Sequence, residues 1–152
     1  MWSRPARAAI AILVGTASAC SAAAGITVTE ARTPVPPTDR VAAVYLTITN
    51  GGAQDDVLTG VTSDVAEAVE LHETVISDGT AGMRPVEALD IPAGASLVLE
   101  PGGLHIMLIG LERALEEGDD FVVTLEFARS GPVDVTVEVI AAGEGPDGGG
   151  HG

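Results

Sequence analysis

The chain has no lysine, a single cysteine and very few aromatic residues, and each shortage removes a class of function. One cysteine cannot pair with itself, so the chain forms no internal disulfide, and no second thiol exists to support redox exchange. Beyond Trp2, the aromatic residues are Tyr45, Phe121 and Phe127, too few for a platform on which bases or sugars could stack. Seven arginines face 22 acidic residues, a formal charge of −15. Such a field repels nucleic acid and anionic lipid headgroups, which excludes both as direct partners. Nucleophile triads, phosphate loops and zinc signatures are also missing, so no hydrolase chemistry is indicated.

Both ends of the chain stand apart from its middle. Residues 1–7 carry Arg4 and Arg7, residues 8–17 are almost wholly small and apolar, and Ala17-Ser18-Ala19-Cys20 follows. This is the layout of an export signal over residues 1–19, with an apolar run too short to span a bilayer. Cys20 sits where a bacterial lipobox places the cysteine that becomes the lipidated first residue of the mature protein. Ala17 stands where a lipobox usually has Leu, so plain secretion with Cys20 removed is the alternative. The expected location is the cell envelope, periplasm or cell surface, with membrane attachment only through a lipid on Cys20. Removing residues 1–19 leaves five arginines against the 22 acidic residues, a formal charge of −17. At the other end, residues 141–152 are half glycine and are expected to be disordered, because they offer little apolar surface to offset the entropy of ordering.

Residues 20–140 make one domain. Short β-branched runs alternate with turn signals: Ile26–Glu30, Val41–Thr49, Asp56–Thr62, Val65–Ile76, Ser96–Glu100, Leu104–Ile109, Phe121–Ala128 and Val133–Ile140. Breaks fall at Ser77-Asp78-Gly79, Pro92-Ala93-Gly94, Pro101-Gly102-Gly103, Glu117-Gly118-Asp119 and Ser130-Gly131-Pro132. Seven to nine strands at this spacing predict an all-β sandwich or Greek-key barrel, with a core of Val, Leu, Ile and Ala. The one helical expectation is a single turn near Leu111–Glu116.

Soft metal donors are few and gathered together. Apart from Met1 and His151, the only histidines and methionines are His72, Met83, His105 and Met107. Thioether sulfur is a good ligand for Cu(I) and a poor one for hard cations, so a His/Met set without cysteine points to monovalent copper rather than zinc. In a strand, His105 and Met107 project to one face while Leu104, Ile106 and Leu108 fill the other. The same alternation takes His72 off the core face. A hairpin turning at Ser77–Gly82 would carry Met83 back to the same rim, provided that the Pro101-Gly102-Gly103 loop also lies there. Each residue alone is more simply a surface histidine or a core-filling methionine. Together, a His and a Met on the non-core side of one strand with a second pair near a turn make a poor way to fill a core. His151 is a possible accessory ligand, although one histidine in a glycine tail is more simply a solvated residue.

The spacing His72-x10-Met83-x21-His105-x-Met107 resembles that of the PCuAC family of small exported copper chaperones. Its surroundings are similar as well: Val69-Glu70-Leu71-His72-Glu73, Gly82-Met83-Arg84-Pro85-Val86, Ile91-Pro92-Ala93-Gly94 and Pro101-Gly102-Gly103-Leu104-His105-Ile106-Met107-Leu108. The resemblance is closest from Val65 to Leu111 and does not reach the glycine tail. It implies a cupredoxin-like Greek-key fold that holds one Cu(I) between two imidazoles and two thioethers. It also implies a non-catalytic carrier that delivers copper in the cell envelope, notably toward the CuA centre of cytochrome c oxidase.

Two other function classes stay open on the residues alone: a copper electron-transfer protein on the same fold, and a metal-free structural or binding lipoprotein. The first lacks the cysteine ligand of a blue-copper centre. Protons compete with metal for imidazole, so Cu(I) affinity is expected to fall as pH drops through about 6.5, the range of a free imidazole. Competition titrations at neutral and mildly acid pH check this, and an unchanged affinity would count against histidine ligation.

Overall fold

In the computed structural model, which describes residues 22, 23 and 25–143, eleven strands run in chain order. They are β1 (Ala22–Ala23), β2 (Ile26–Pro34), β3 (Val41–Asn50), β4 (Asp56–Thr62), β5 (Ala66–Ser77), β6 (Thr80–Pro85), β7 (Leu89–Ile91), β8 (Ser96–Leu99), β9 (Leu104–Leu111), β10 (Asp120–Phe127) and β11 (Gly131–Ile140). The expected export signal, Cys20, His151 and the tail beyond residue 143 lie outside the described residues.

The all-β expectation holds, and the architecture is a cupredoxin-like Greek-key sandwich. The sheet runs β6-β5-β9-β3-β2-β11-β10-β4-β7, with β1 added to β2 and β8 to β3. β3 is the pivot. Its first half, Val41–Val44, pairs with β9, and its second half, Leu46–Thr49, pairs with β8 along the same edge. The other edge of β3 pairs with β2, which in turn pairs in parallel with β11.

Alternation in the sequence becomes alternation in burial. Val133, Val135, Val137 and Val139 of β11 are buried, while Asp134, Thr136 and Glu138 face out. Ala42, Val44, Leu46 and Ile48 of β3 do the same. With Leu58 of β4, Leu71 of β5, Ile106 and Leu108 of β9, and Val123 and Leu125 of β10, they form one continuous aliphatic core. Each such side chain contributes roughly 1.5–3 kcal/mol by leaving water. Phe121 and Phe127 are the aromatic members of that core.

Three differences from the sequence-based expectation have local causes. The strand opening at Ile26 continues past Glu30 to Pro34, because Glu30 takes a left-handed φ of 57° and a register shift between Thr29 and Arg32 lets pairing resume. β1, β6 and β7 add three strands that the residue pattern does not announce, since β1 has two residues, all of β6 is exposed and β7 has only three residues. Leu111–Glu116 is not a helical turn. Leu111 ends β9, Leu115 is buried in the core, and the Asp119 carboxylate accepts from the Glu116 amide at 3.0 Å and from Arg113 at 3.3 Å. Burying Leu115 and closing the loop on Asp119 leave no run of residues free for helical bonding.

One buried carboxylate ties the sandwich together at its far end. Asp56 starts β4 and accepts hydrogen bonds from the amides of Val57 (2.8 Å), Arg129 (2.9 Å) and Ser130 (3.1 Å), and from the Ser130 hydroxyl. Burial alone would push its pKa up. The Ser130 hydroxyl and the three amides outweigh that cost and hold the carboxyl below its ordinary value. A depressed folded-state value means that Asp56 stabilises the fold above the unfolded Asp range near 4, and that this stability is lost as pH falls through the lower folded value. Asp56→Ala is expected to cost about 3 kcal/mol, because the Arg129 and Ser130 amides lose their acceptor. Asp56→Asn should flatten the acid limb of the stability curve in urea unfolding followed from neutral pH downward.

Candidate metal centre

The register of three strand pairs decides where the His and Met side chains go. Across β5 and β9, His72 lies opposite His105 and Glu70 opposite Met107. Across β9 and β3, Met107 lies opposite Ala43. Across β5 and β6, Thr74 lies opposite Met83 and His72 opposite Pro85. Directly opposed residues of an antiparallel pair share a face, as do residues two apart on one strand. His72, Met83, His105 and Met107 therefore all stand on the outer face of the β6-β5-β9-β3 layer. Leu71, Ile106 and Leu108 fill the inner one.

The loop between β8 and β9 closes over the same end of that face. The Thr74 amide donates to the Gly103 carbonyl at 3.1 Å, which holds Pro101-Gly102-Gly103 against β5. His105 is more enclosed than a rim position implies, at 3% exposure. Its ring lies 5.8 Å from that of His72 and 6.5 Å from that of Tyr45, both centroid to centroid. Exposure rises outward from there: the His72 side chain is 15% exposed, and Met83, on the edge strand, is 59% exposed.

Each imidazole uses one nitrogen and leaves the other unused. His105 Nδ1–H donates to the Gly103 carbonyl at 3.2 Å, and His72 Nε2–H donates to the Glu70 carboxylate at 2.7 Å. The remaining nitrogens, His105 Nε2 and His72 Nδ1, are buried and have no hydrogen-bond partner among the described residues. With their protons committed elsewhere, both present a lone pair. A buried unpaired polar atom costs about 1–3 kcal/mol, so two of them on neighbouring rings call for a ligand. A metal ion fits these two nitrogens. Among the described residues, no group of three or more His, Cys, Asp and Glu is placed to hold one, so further donors must come from another residue type. The thioethers of Met83 and Met107 stand on this face.

Glu70 and Tyr45 belong to this neighbourhood and were not among the sequence-based candidates. The place of Glu70, two residues before His72 on one strand, is the signal that could have identified it. Tyr45 has a pKa raised by burial, and it joins Met107, Ala43 and Pro34–Thr38 in lining an apolar groove of about 330 Å³ beside the histidines.

Comparison with known proteins follows the same lines. Residues 26–139 match the family described as "Putative lipoprotein LpqE-like". The "Putative lipoprotein Lxx21020" of Leifsonia xyli subsp. xyli is 40% identical over 98 residues, which cover 64% of this chain and 59% of that protein. The matched region thus spans under two thirds of that relative's length. Among solved structures, the copper(I) form of DR1885 from Deinococcus radiodurans is 31% identical, covers 83% of each chain and superposes with a TM-score of 0.63. The copper-bound PCuAC domain of PmoF2 is 22% identical, covers 82% of this chain and 99% of that one, and has a TM-score of 0.68. The resemblance noted in the sequence is borne out: the chain has the fold of PCuAC domains and belongs to the family described as LpqE-like.

Proposed function

We propose that this protein is an extracytoplasmic copper chaperone that binds one Cu(I) through His72, Met83, His105 and Met107. It passes the ion to an acceptor protein in the cell envelope, of which the CuA centre of cytochrome c oxidase is one. The observation that carries the proposal is the pair of buried, unpartnered nitrogens, His72 Nδ1 and His105 Nε2, on the sheet face that bears both methionines. Copper(I) bound to DR1885, and copper bound to the PmoF2 domain, support the choice of metal.

The ligand chemistry fits carriage better than catalysis. Two imidazoles and two thioethers are neutral, favour Cu(I) over Cu(II), and leave a cation that a richer site can extract. Three of the four residues sit on strands β5 and β9 or in their shadow. Met83 is open to solvent, which gives an acceptor's ligand a place to enter. A lipid on Cys20 would hold the carrier at the membrane surface, as the lipoprotein descriptions of its relatives support.

Anaerobic titration should show one Cu(I) per chain, with sulfur and nitrogen scattering in X-ray absorption. Met83→Leu and Met107→Leu should each weaken binding by about tenfold or more, equivalent to about 1.4 kcal/mol, with loss of sulfur scattering. Zn(II) that outcompetes copper one to one would overturn the assignment.

Stability gives a second, independent measurement. His105→Leu removes an unpaired buried nitrogen, so the apoprotein is expected to keep or gain stability, by about 1 kcal/mol. The same variant should lose the rise in melting temperature that Cu(I) gives the wild type. An apoprotein strongly destabilised by this change would mean that His105 serves the core.

A further inference from the structure

Resting on the copper reading above, we infer that Glu70 is a positioning residue that fixes which nitrogen of His72 meets the metal. The two histidines reach the same condition by different means. His105 is oriented by a backbone carbonyl, that of Gly103, which the β8–β9 loop holds in place through the Thr74 amide. His72 is oriented by a side chain. Glu70 stands two residues earlier on β5, on the same face, and directly opposite Met107.

An ionised carboxylate can only accept hydrogen bonds. At 2.7 Å from Glu70, His72 Nε2 therefore carries the proton, and its lone pair is on Nδ1, the buried atom with no partner. Rotating the ring by half a turn about Cβ–Cγ exchanges Nδ1 with Cδ2 and Nε2 with Cε1, which would break the Glu70 bond and turn the Nδ1 lone pair away; moving the proton from Nε2 to Nδ1 would close that lone pair and open one on Nε2 instead. Glu70 holds the ring orientation and the Nε2–H tautomer against both changes and makes the imidazole a stronger donor, as carboxylates behind metal-bound histidines do. The result is an asymmetric nitrogen pair, Nδ1 from His72 and Nε2 from His105.

Glu70 is well suited to be altered without disturbing the fold. Its side chain is 48% exposed, on the face of β5 opposite the buried Leu71. Its Oε2 atom bonds His72 and no other side chain among the described residues. The bond to His72 is the route by which Glu70 fixes the ring, and the glutamine variant separates that bond from the charge of the carboxylate.

The test uses the full chain with 15N-labelled histidine, as wild type, Glu70→Ala and Glu70→Gln. In the apoprotein at mildly alkaline pH, the wild type should show a slowly exchanging His72 Nε2–H proton. That signal should vanish in Glu70→Ala and return, weaker, in Glu70→Gln, whose amide oxygen can still accept. Adding Cu(I), which is diamagnetic, should shift His72 Nδ1 and His105 Nε2 in the wild type. In Glu70→Ala, the His72 shift should divide between the two ring nitrogens and Cu(I) affinity should fall about 10–100-fold, with most of it restored in Glu70→Gln. Circular dichroism should be the same for all three proteins. An alanine variant that keeps the Nε2–H signal, or binds Cu(I) within twofold of wild type through Nδ1, overturns the role of Glu70. A wild type that shows the Nε2–H signal but holds no Cu(I) overturns the copper reading and, with it, the purpose assigned to the pair.

Discussion

The pairing of His72 with His105 across the β5–β9 ladder is the constraint on which the rest of the site depends. Side chains alternate along a strand with a period of two, so a slip of one residue in this ladder would turn one histidine into the core and leave the other outside. In the observed register, two imidazoles meet on the outer face, Met107 follows His105 on the same side, and Glu70 comes opposite Met107. Every other feature of the centre is an elaboration of that single alignment.

The aliphatic core holds the register. Leu71 on β5 and Ile106 and Leu108 on β9 are buried, and a slip that turned His72 inward would carry Leu71 toward solvent, as one that turned His105 inward would carry Ile106 and Leu108. At roughly 1.5–3 kcal/mol for each buried side chain, the core opposes that slip far more strongly than the site could by itself. β3 adds to this by pairing Ala43 with Met107 while burying Ala42 and Val44 on its inner side. The hairpin is held less firmly, since β6 pairs with β5 alone and its Glu73–Arg84 ion pair is solvent-exposed and worth little. Precision is thus greatest at the histidines and declines toward Met83.

Much of this was legible in the sequence, for a physical reason. Leu104 to Leu108 reads as a strand with donors on one side because hydrophobic alternation and strand geometry share the same period. The turn at Ser77-Asp78-Gly79 locates the hairpin because Asp78 and Gly79 take the left-handed conformations that such a turn needs. β6 was invisible as a strand: Thr80-Ala81-Gly82-Met83-Arg84-Pro85 has no buried face to leave a pattern, and only its pairing with β5 defines it. Leu115 misled in the opposite sense, since a lone core residue in a closed loop imitates the first turn of an amphipathic helix. Strand alternation sets Glu70 on the face of His72, but the bond between them and the unpaired nitrogens were beyond the sequence. They depend on ring orientation and on which atoms water can reach, and neither has a period.

A carrier must hold copper well enough to keep it and loosely enough to release it, and the gradient of exposure across this face meets both needs. A bond to a deeply enclosed side chain breaks only if the surrounding strands move, whereas a thioether on an exposed edge strand can leave with little rearrangement. On the proposed assignment, an acceptor's donor would enter where Met83 stands and the histidines would let go last. The energy for release need not be stored as strain in this protein. Neutral ligands neutralise none of the ion's charge, so an acceptor offering thiolates gains electrostatically from the transfer while the carrier loses only weak bonds. With the proposed ligands, burial would set the order of release and ligand charge its direction.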